Sequence, residues 1–284
     1  MRAIDNHCHP GTIVFRETFK PYMEALEKYW KQGMPVKTEE EMIRDFVDAD
    51  VKVLLVAFDG ETATGLPKTS NDYVAGLVKK YPDSIIGGWG SVDPWKGELA
   101  IQEARRAIKE LGLIGLKFHP TLQRFYPNDR RFYPLWETLV ELKAPVQIHV
   151  GTTGMGAGVP GGMGEHLKYT APIPCIDDLA ADFPGLTIIG LHPAFPWTDE
   201  MTAVVLHKGN VFWDLSGWAP KYLPPSLKRD INSRLQDRVL FGSDYPAISH
   251  KRLLQEWEAE DYKKEVLEKL LYKNAQRILG LATV

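Results

Sequence analysis

Residues 98–120, ELAIQEARRAIKELGLIGLKFHP, hold one full unit of this chain's construction: a helix, its stop and a strand. Leu99, Ala104, Ala107, Ile108 and Leu111 recur at three- and four-residue spacing, which gathers them on one face of a helix over 97–112. Gly112 stops that helix, since glycine takes the left-handed conformation a helix end calls for. The apolar run that follows, IGLKFHP (114–120), is short enough to be a buried strand.

The same beat runs outward in both directions. Strands are predicted at 3–9, 51–58, 85–92, 114–120, 144–151, 186–192, 211–218 and 239–246. Helices are predicted near 39–50, 71–81, 97–112, 132–143, 174–183, 197–209 and 225–236, with a longer helical tail over 249–279. Strands that alternate with helices form a parallel sheet, and eight such units close into a (β/α)₈ barrel, the TIM-barrel architecture of the α/β class. An open doubly wound sheet usually has fewer strands. No shorter repeat, low-complexity tract or linker interrupts the chain, so residues 1–284 are expected to form a single domain.

Composition narrows the partners. Of 284 residues, 44% are hydrophobic and 25% charged, with a net charge of −3, which supplies a core but no basic footprint for nucleic acid. No apolar run reaches the ~18 residues of a membrane span. The two cysteines, Cys8 and Cys175, cannot make a disulfide framework. The expectation is a soluble, cytoplasmic protein acting on a small molecule, without nucleic-acid or membrane partners. Fold-level analogy points to a homodimer.

Two insertions stand out. Residues 10–38 follow the first strand and carry Phe15, Phe19, Tyr22, Tyr29 and Trp30; residues 151–172 follow the fifth and are rich in glycine. Long loops after barrel strands lie on the catalytic face, so both are expected to be walls or lids.

The strand ends carry the chemistry. The first strand ends in His7-Cys8-His9, the fifth in His149, the sixth in His192 and the eighth in Asp244. Alternation along a strand aims His7 and His9 the same way and Cys8 to the other side, towards the helices. Neutral imidazoles with a carboxylate suit a borderline ion such as zinc, provided one coordination position stays open. Lys117 and His119 share a face of the fourth strand. Lys117 is either a cation for a substrate carboxylate or a partner of an inward acid such as Asp5. Trp89, Trp197, Trp218 and Tyr245 follow or end strands and would line a mouth for a flat substrate. His166, in the glycine-rich loop, is a candidate substrate contact, and Gln123 and Arg124 are candidates for an anionic group. His207 and His250 read as surface and structural.

The series IDNHCH, IHVG, GLHPAFPW and FGSDYP, with DLSGW (214–218) and the closing NAQRILGL (274–281), resembles the amidohydrolase superfamily over residues 3–281. The likeness is to its amidohydrolase-related branch, which includes aminocarboxymuconate semialdehyde decarboxylase-like lyases as well as hydrolases. It implies a single divalent metal ion, zinc with manganese as the other choice, held by His7, His9, His149 and Asp244. His192 then lies beside the metal-bound water or the substrate as a catalytic partner of Asp244; in binuclear members of the superfamily a carboxylated lysine of the fourth strand bridges two metals, and Lys117 in that role would make His192 a ligand of the second ion. The branch contains two chemistries. The expectation carried forward is a hydrolase in which metal-activated water attacks a carbonyl of an aromatic or carboxylated compound, with Asp244 and His192 moving protons. The stretches GGMGEHLKYT, PWTDEM and DLSGWAPKY resemble those of enzymes that cleave aryl β-ketoacyl compounds in aromatic catabolism. The alternative is a non-oxidative decarboxylase using the same ligands.

Overall fold

All eight predicted strands form in the computed structural model, which describes residues 1–282. They are β1 (Ala3–Cys8), β2 (Val51–Val56), β3 (Ile85–Gly90), β4 (Gly115–Phe118), β5 (Val146–His149), β6 (Ile188–Leu191), β7 (Val211–Asp214) and β8 (Val239–Leu240). Neighbours in sequence are neighbours in the sheet, and every pair is parallel. The ring closes between the last strand and the first. Asn6 N donates to Phe241 O at 2.9 Å, Asp244 N to His7 O at 2.9 Å and His9 N to Tyr245 O at 3.0 Å. Closure leaves no open sheet edge.

Period-two alternation sorts the strand residues into two layers. Ile4, Leu54, Val56, Trp89, Ile189, Leu191 and Leu240 fill the inside of the barrel. Val53, Leu55, Leu116, Phe118, Val146, Ile148, Ile188 and Trp213 pack outward in a second core shared with helix residues such as Phe46, Trp136 and Trp257. The helix Glu98–Lys109 buries Ala100, Ala104 and Ala107. Leu99 departs from the expected face and is 66% exposed, because it precedes Ala104 by five residues, more than one helical turn. The predicted tail is broken into helices at His250–Glu258, Lys264–Glu268 and Asn274–Leu279, with a π turn between the last two. At the first break, Asn232 accepts from Lys263 N and donates to Asp261 O.

Strand β1 contains an irregularity that decides the site. Asp5 pairs with Val53, but Cys8 pairs with Leu55, so β1 carries one more residue than β2 across this step. Such a bulge re-aims side chains. Asn6, His7 and His9 face the barrel axis, whereas Asp5 and Cys8 face the helices. Asp5 is therefore not the inward acid that plain alternation predicts as a partner for Lys117.

The two insertions meet. Helices Ile13–Thr18 and Lys20–Trp30 bring Phe15, Phe19, Tyr22, Met23 and Leu26 into one apolar cluster with Phe58 and Leu122, against which Met155, Ala157 and Met163 of the second insertion pack. At Gly158 a Cβ would lie 2.2 Å from the Tyr29 ring, so only glycine permits this approach. Tyr22 Oη donates to Glu165 Oε1 at 2.7 Å, and Arg124 Nη2 reaches the same oxygen at 3.0 Å. No helix of the described residues is long and apolar enough to cross a membrane.

Candidate metal centre

Strand ends β1, β6 and β8 converge. His7, His192 and Asp244 place ligand atoms within 4.8 Å of one another. Nε2 of His7 and Nε2 of His9 each lie 3.3 Å from Asp244 Oδ1. His7 is fixed by its neighbours: its Nδ1 donates to Gln147 Oε1 at 3.1 Å, because the Gln147 amide nitrogen is already spent on Asn6 O at 2.7 Å. The opposite nitrogen, Nε2, is buried and has no hydrogen-bond partner. An imidazole electron pair facing a carboxylate oxygen is repulsive unless a cation stands between them. Bonds of ~2.0–2.2 Å to one ion put neighbouring donors roughly 3 Å apart or slightly more. The residues therefore fit a divalent ion on grounds of chemistry and spacing.

His192 is oriented in the same manner. Its Nδ1 lies 3.1 Å from both the carbonyl and the hydroxyl oxygen of Ser216, which leaves Nε2 as the nitrogen free to serve the site. Both His192 (φ 69°) and Asp244 (φ 59°) have left-handed backbones, as does Ala194 (φ 58°). Such residues cost ~1–3 kcal/mol each and persist only where packing holds them. Gly217, also left-handed, supplies part of that packing: a Cβ there would sit 3.0 Å from His192 Nδ1 and 3.1 Å from Asp244 Oδ2.

Burial keeps the imidazoles neutral, as metal ligation requires. It brings His9 down to about 3 and His192 to about 4, and it holds His119 and His149 well below the ordinary histidine value, with neighbouring positive charge adding to the effect. Asp244 remains 28% exposed, so solvent reaches the centre along this side. Cys8 lies behind it; burial, reinforced by Asp5, pushes its thiol well above the usual value.

His149 stands at the flank of the group. Its ring is 4.5 Å from that of His192 and stacks on His119 at 4.0 Å, while Nε2 meets Thr152 O at 3.0 Å. Lys117 is inward and 2% exposed, its Nζ 5.4 Å from the centre of the Phe58 ring. It forms an ion pair with no carboxylate among the described residues. Burial lowers its pKa to about 8, with Asp244 opposing the shift. His119 is buried, its Nδ1 accepting from Leu122 N and its Nε2 meeting Thr153 Oγ1, each at 3.3 Å.

The remaining predicted contacts are dispersed. Trp218 is half-buried with its ring 5.9 Å from the exposed Phe195, and Trp197 is half-buried at the start of the helix Thr198–His207. Tyr245 turns out of the barrel, stacked on His250 with its hydroxyl on Asp45 Oδ2 at 2.8 Å. Trp89 lies below the centre, donating to Asn6 O at 3.0 Å. His166 is exposed beside Tyr169. Gln123 is consumed internally, accepting from His119 N and donating to Asp59 O and Val92 O. Sequence reasoning overlooked Gln147, although it shares its strand face with His149 and parity identifies it. It also overlooked Phe15 and Phe19, whose rings lie 4.8 and 6.3 Å from that of His9 and roof the centre.

Residues 4–281 match the family described as Amidohydrolase. At 25% identity, 98% of the chain aligns with 84% of the 2-amino-3-carboxymuconate-6-semialdehyde decarboxylase of Dictyostelium discoideum. An uncharacterized TIM-barrel protein of Bordetella bronchiseptica superposes with a TM-score of 0.79, at 25% identity over 99% of each chain. A 5-carboxyvanillate decarboxylase of Novosphingobium aromaticivorans, complexed with manganese and 4-hydroxy-3-methoxy-5-nitrobenzoic acid, gives 0.72 at 20% identity over 99% of this chain and 96% of the other. At that identity the likeness speaks for the fold.

Proposed function

We propose, on the premise that this chain belongs to the amidohydrolase family, that it is a metal-dependent, non-oxidative decarboxylase of a small aromatic or unsaturated carboxylate. The observation that carries this reading is Lys117: a buried ammonium, inward-facing, with no carboxylate paired to it among the described residues. A substrate carboxylate is the partner that would satisfy it. The activity of the Dictyostelium relative supports a decarboxylase above the hydrolase expected from sequence, although both would use the same residues.

In this reading His7, His9, His149 and Asp244 hold one divalent ion, which supplies Lewis-acid stabilisation of negative charge developing on the substrate. Lys117 and the flanking His119 seat the carboxylate. Phe15 and Phe19, packed beside His9, would exclude water from that side. The reaction exchanges a C–CO₂ bond for a C–H bond, so one proton must reach the carbon that carbon dioxide leaves. In this reading Asp244 and His192 would carry it. His192 is neutral and held by Ser216 through Nδ1, so Nε2 can take up and return a proton without the ring moving.

The test is product analysis by mass spectrometry on a panel of hydroxylated aromatic and unsaturated carboxylates, lactones and aryl β-ketoacyl compounds. Protein stripped with chelator is compared with protein reloaded with Zn²⁺ or Mn²⁺. Release of carbon dioxide, with one solvent deuteron on the product carbon, is the expected result. Incorporation of labelled water oxygen without carbon dioxide would restore the hydrolase reading. Asp244→Asn should lower turnover by roughly 10²–10⁴-fold with metal still bound.

A further inference from the structure

On the outer face of the barrel wall, directly behind the centre, Asp5 is fully buried and accepts four hydrogen bonds. Oδ1 takes His7 N and Ser243 N, each at 3.0 Å. Oδ2 takes the Ser243 hydroxyl and, at 2.6 Å, His250 Nε2. Ser243 Oγ in turn accepts from Tyr245 N at 2.9 Å. One carboxylate oxygen thus holds the backbone of a ligand residue on β1 and that of the residue preceding Asp244. Through Ser243 the same carboxylate also restrains the residue following Asp244.

The ends of this arrangement are themselves fixed. His250 opens the helix His250–Glu258, and its ring is stacked on Tyr245 and met edge-on by Phe46, both at 5.3 Å. The bulge in β1 is what turns Asp5 to this side while leaving His7 and His9 inside. The position is also the barrel seam, where the strand ladder between β8 and β1 is carried by isolated bonds rather than by a regular register.

We propose that Asp5, with Ser243 and His250, is a positioning clasp that sets the separation between His7 Nε2 and Asp244 Oδ1 and so the geometry of the metal centre. This rests on the metal site assigned above. Ligand-type atoms of Asp5, Cys8 and His250 also lie within 4.8 Å of one another, which would admit a second ion. The hydrogen bonding argues against that use, because both carboxylate oxygens already accept two bonds each and retain no free electron pair. The cluster acts through the residues that it ties together.

The test uses the full chain, stripped of metal and titrated with Co²⁺, whose visible absorption reports ligand geometry, with circular dichroism to confirm folding. Asp5→Ala is expected to weaken Co²⁺ binding by roughly 10–100-fold and to change the ligand-field spectrum. Asp5→Asn still offers an oxygen to His7 N and Ser243 N and should recover most of the affinity and the parent spectrum. Ser243→Ala, a smaller change, is expected to show the same spectral shift in milder form and serves where Asp5→Ala does not fold. Parent affinity and an unchanged spectrum in folded Asp5→Ala, or in Ser243→Ala where Asp5→Ala does not fold, would overturn the clasp while leaving the metal site standing. Failure of the parent protein to bind Co²⁺, Zn²⁺ or Mn²⁺ would remove the metal site, and the clasp with it.

Discussion

Replacing Lys117 by Met keeps the length of the side chain and deletes its charge, and the consequences for stability and for activity have opposite signs. Lys117 is 2% exposed, and burial brings its pKa from 10.5 to about 8. That difference corresponds to ~3 kcal/mol by which the fold disfavours the charged form. Below pH ~8 the folded and unfolded chains both hold the proton, so the whole cost is present. Between pH ~8 and ~10.5 the unfolded chain binds a proton that the folded chain has shed, and stability therefore rises with pH. Above that window the cost has gone. In metal-free protein near pH 7, Lys117→Met should thus be more stable than the parent by up to ~3 kcal/mol, with the gain vanishing by pH ~10.5. Turnover should move the other way. Losing a charge-assisted hydrogen bond to the substrate carboxylate removes ~1.5–3 kcal/mol, or roughly 10–150-fold in kcat/KM. In the parent, kcat/KM should fall as pH rises through about 8 and the ammonium deprotonates, with a bound divalent cation shifting that limb to lower pH. Urea denaturation near pH 7 and pH 10, alongside steady-state kinetics, measures both. A variant that is less stable than the parent near pH 7, or one that retains full kcat/KM, would refute the assignment of Lys117 as an unpaired cation awaiting a carboxylate.

Two further outcomes are expected. Gln147→Leu removes the acceptor of His7 Nδ1 and leaves that buried group unpaired at a cost of ~1–3 kcal/mol, whereas Asn6 O keeps its bond from Trp89 Nε1. It should also weaken metal binding by roughly 10–100-fold in a chelator-competition titration; unchanged affinity would show that the His7 tautomer is set by something else. Glu165→Gln weakens the contact between the two insertions, where Arg124 is 41% exposed, so global stability should change by no more than ~1 kcal/mol. Hydrogen exchange within residues 151–172 should nevertheless rise several-fold, and equal exchange in parent and variant would mean that Glu165 does not hold the insertions together.

Much of this was legible because the barrel turns a period-two pattern into two layers. Lys117 sits between Leu116 and Phe118, and once those two are placed outward the lysine has only the barrel axis to face. The histidines at the ends of β1 and β5 follow from the same rule. The rule breaks where the backbone leaves it. Asp5 was misplaced because one extra residue in β1 changes the phase between Asp5 and His7, and nothing in AIDNHCH marks the insertion. Tyr245 was misplaced because β8 is regular only over Val239–Leu240, and a left-handed residue, Asp244, separates Tyr245 from any strand parity. The meeting of the two insertions was beyond local reading, since Tyr22 and Glu165 are 143 residues apart in sequence.

The seam has a consequence for the order in which the molecule comes into being. Asp5 and Ser243 are 238 residues apart, so the contact that closes the ring joins a strand made early to a segment made much later. At ~5–20 residues per second, a ribosome leaves β1 without its closing neighbour for roughly 10–50 s, with Ile4 and the HxH pair on a free strand edge. The proposed ligand set is split across the same interval, because Asp244 emerges only after the rest of the barrel wall. Any site that draws on both β1 and Asp244 is therefore assembled only after the whole barrel wall has been made.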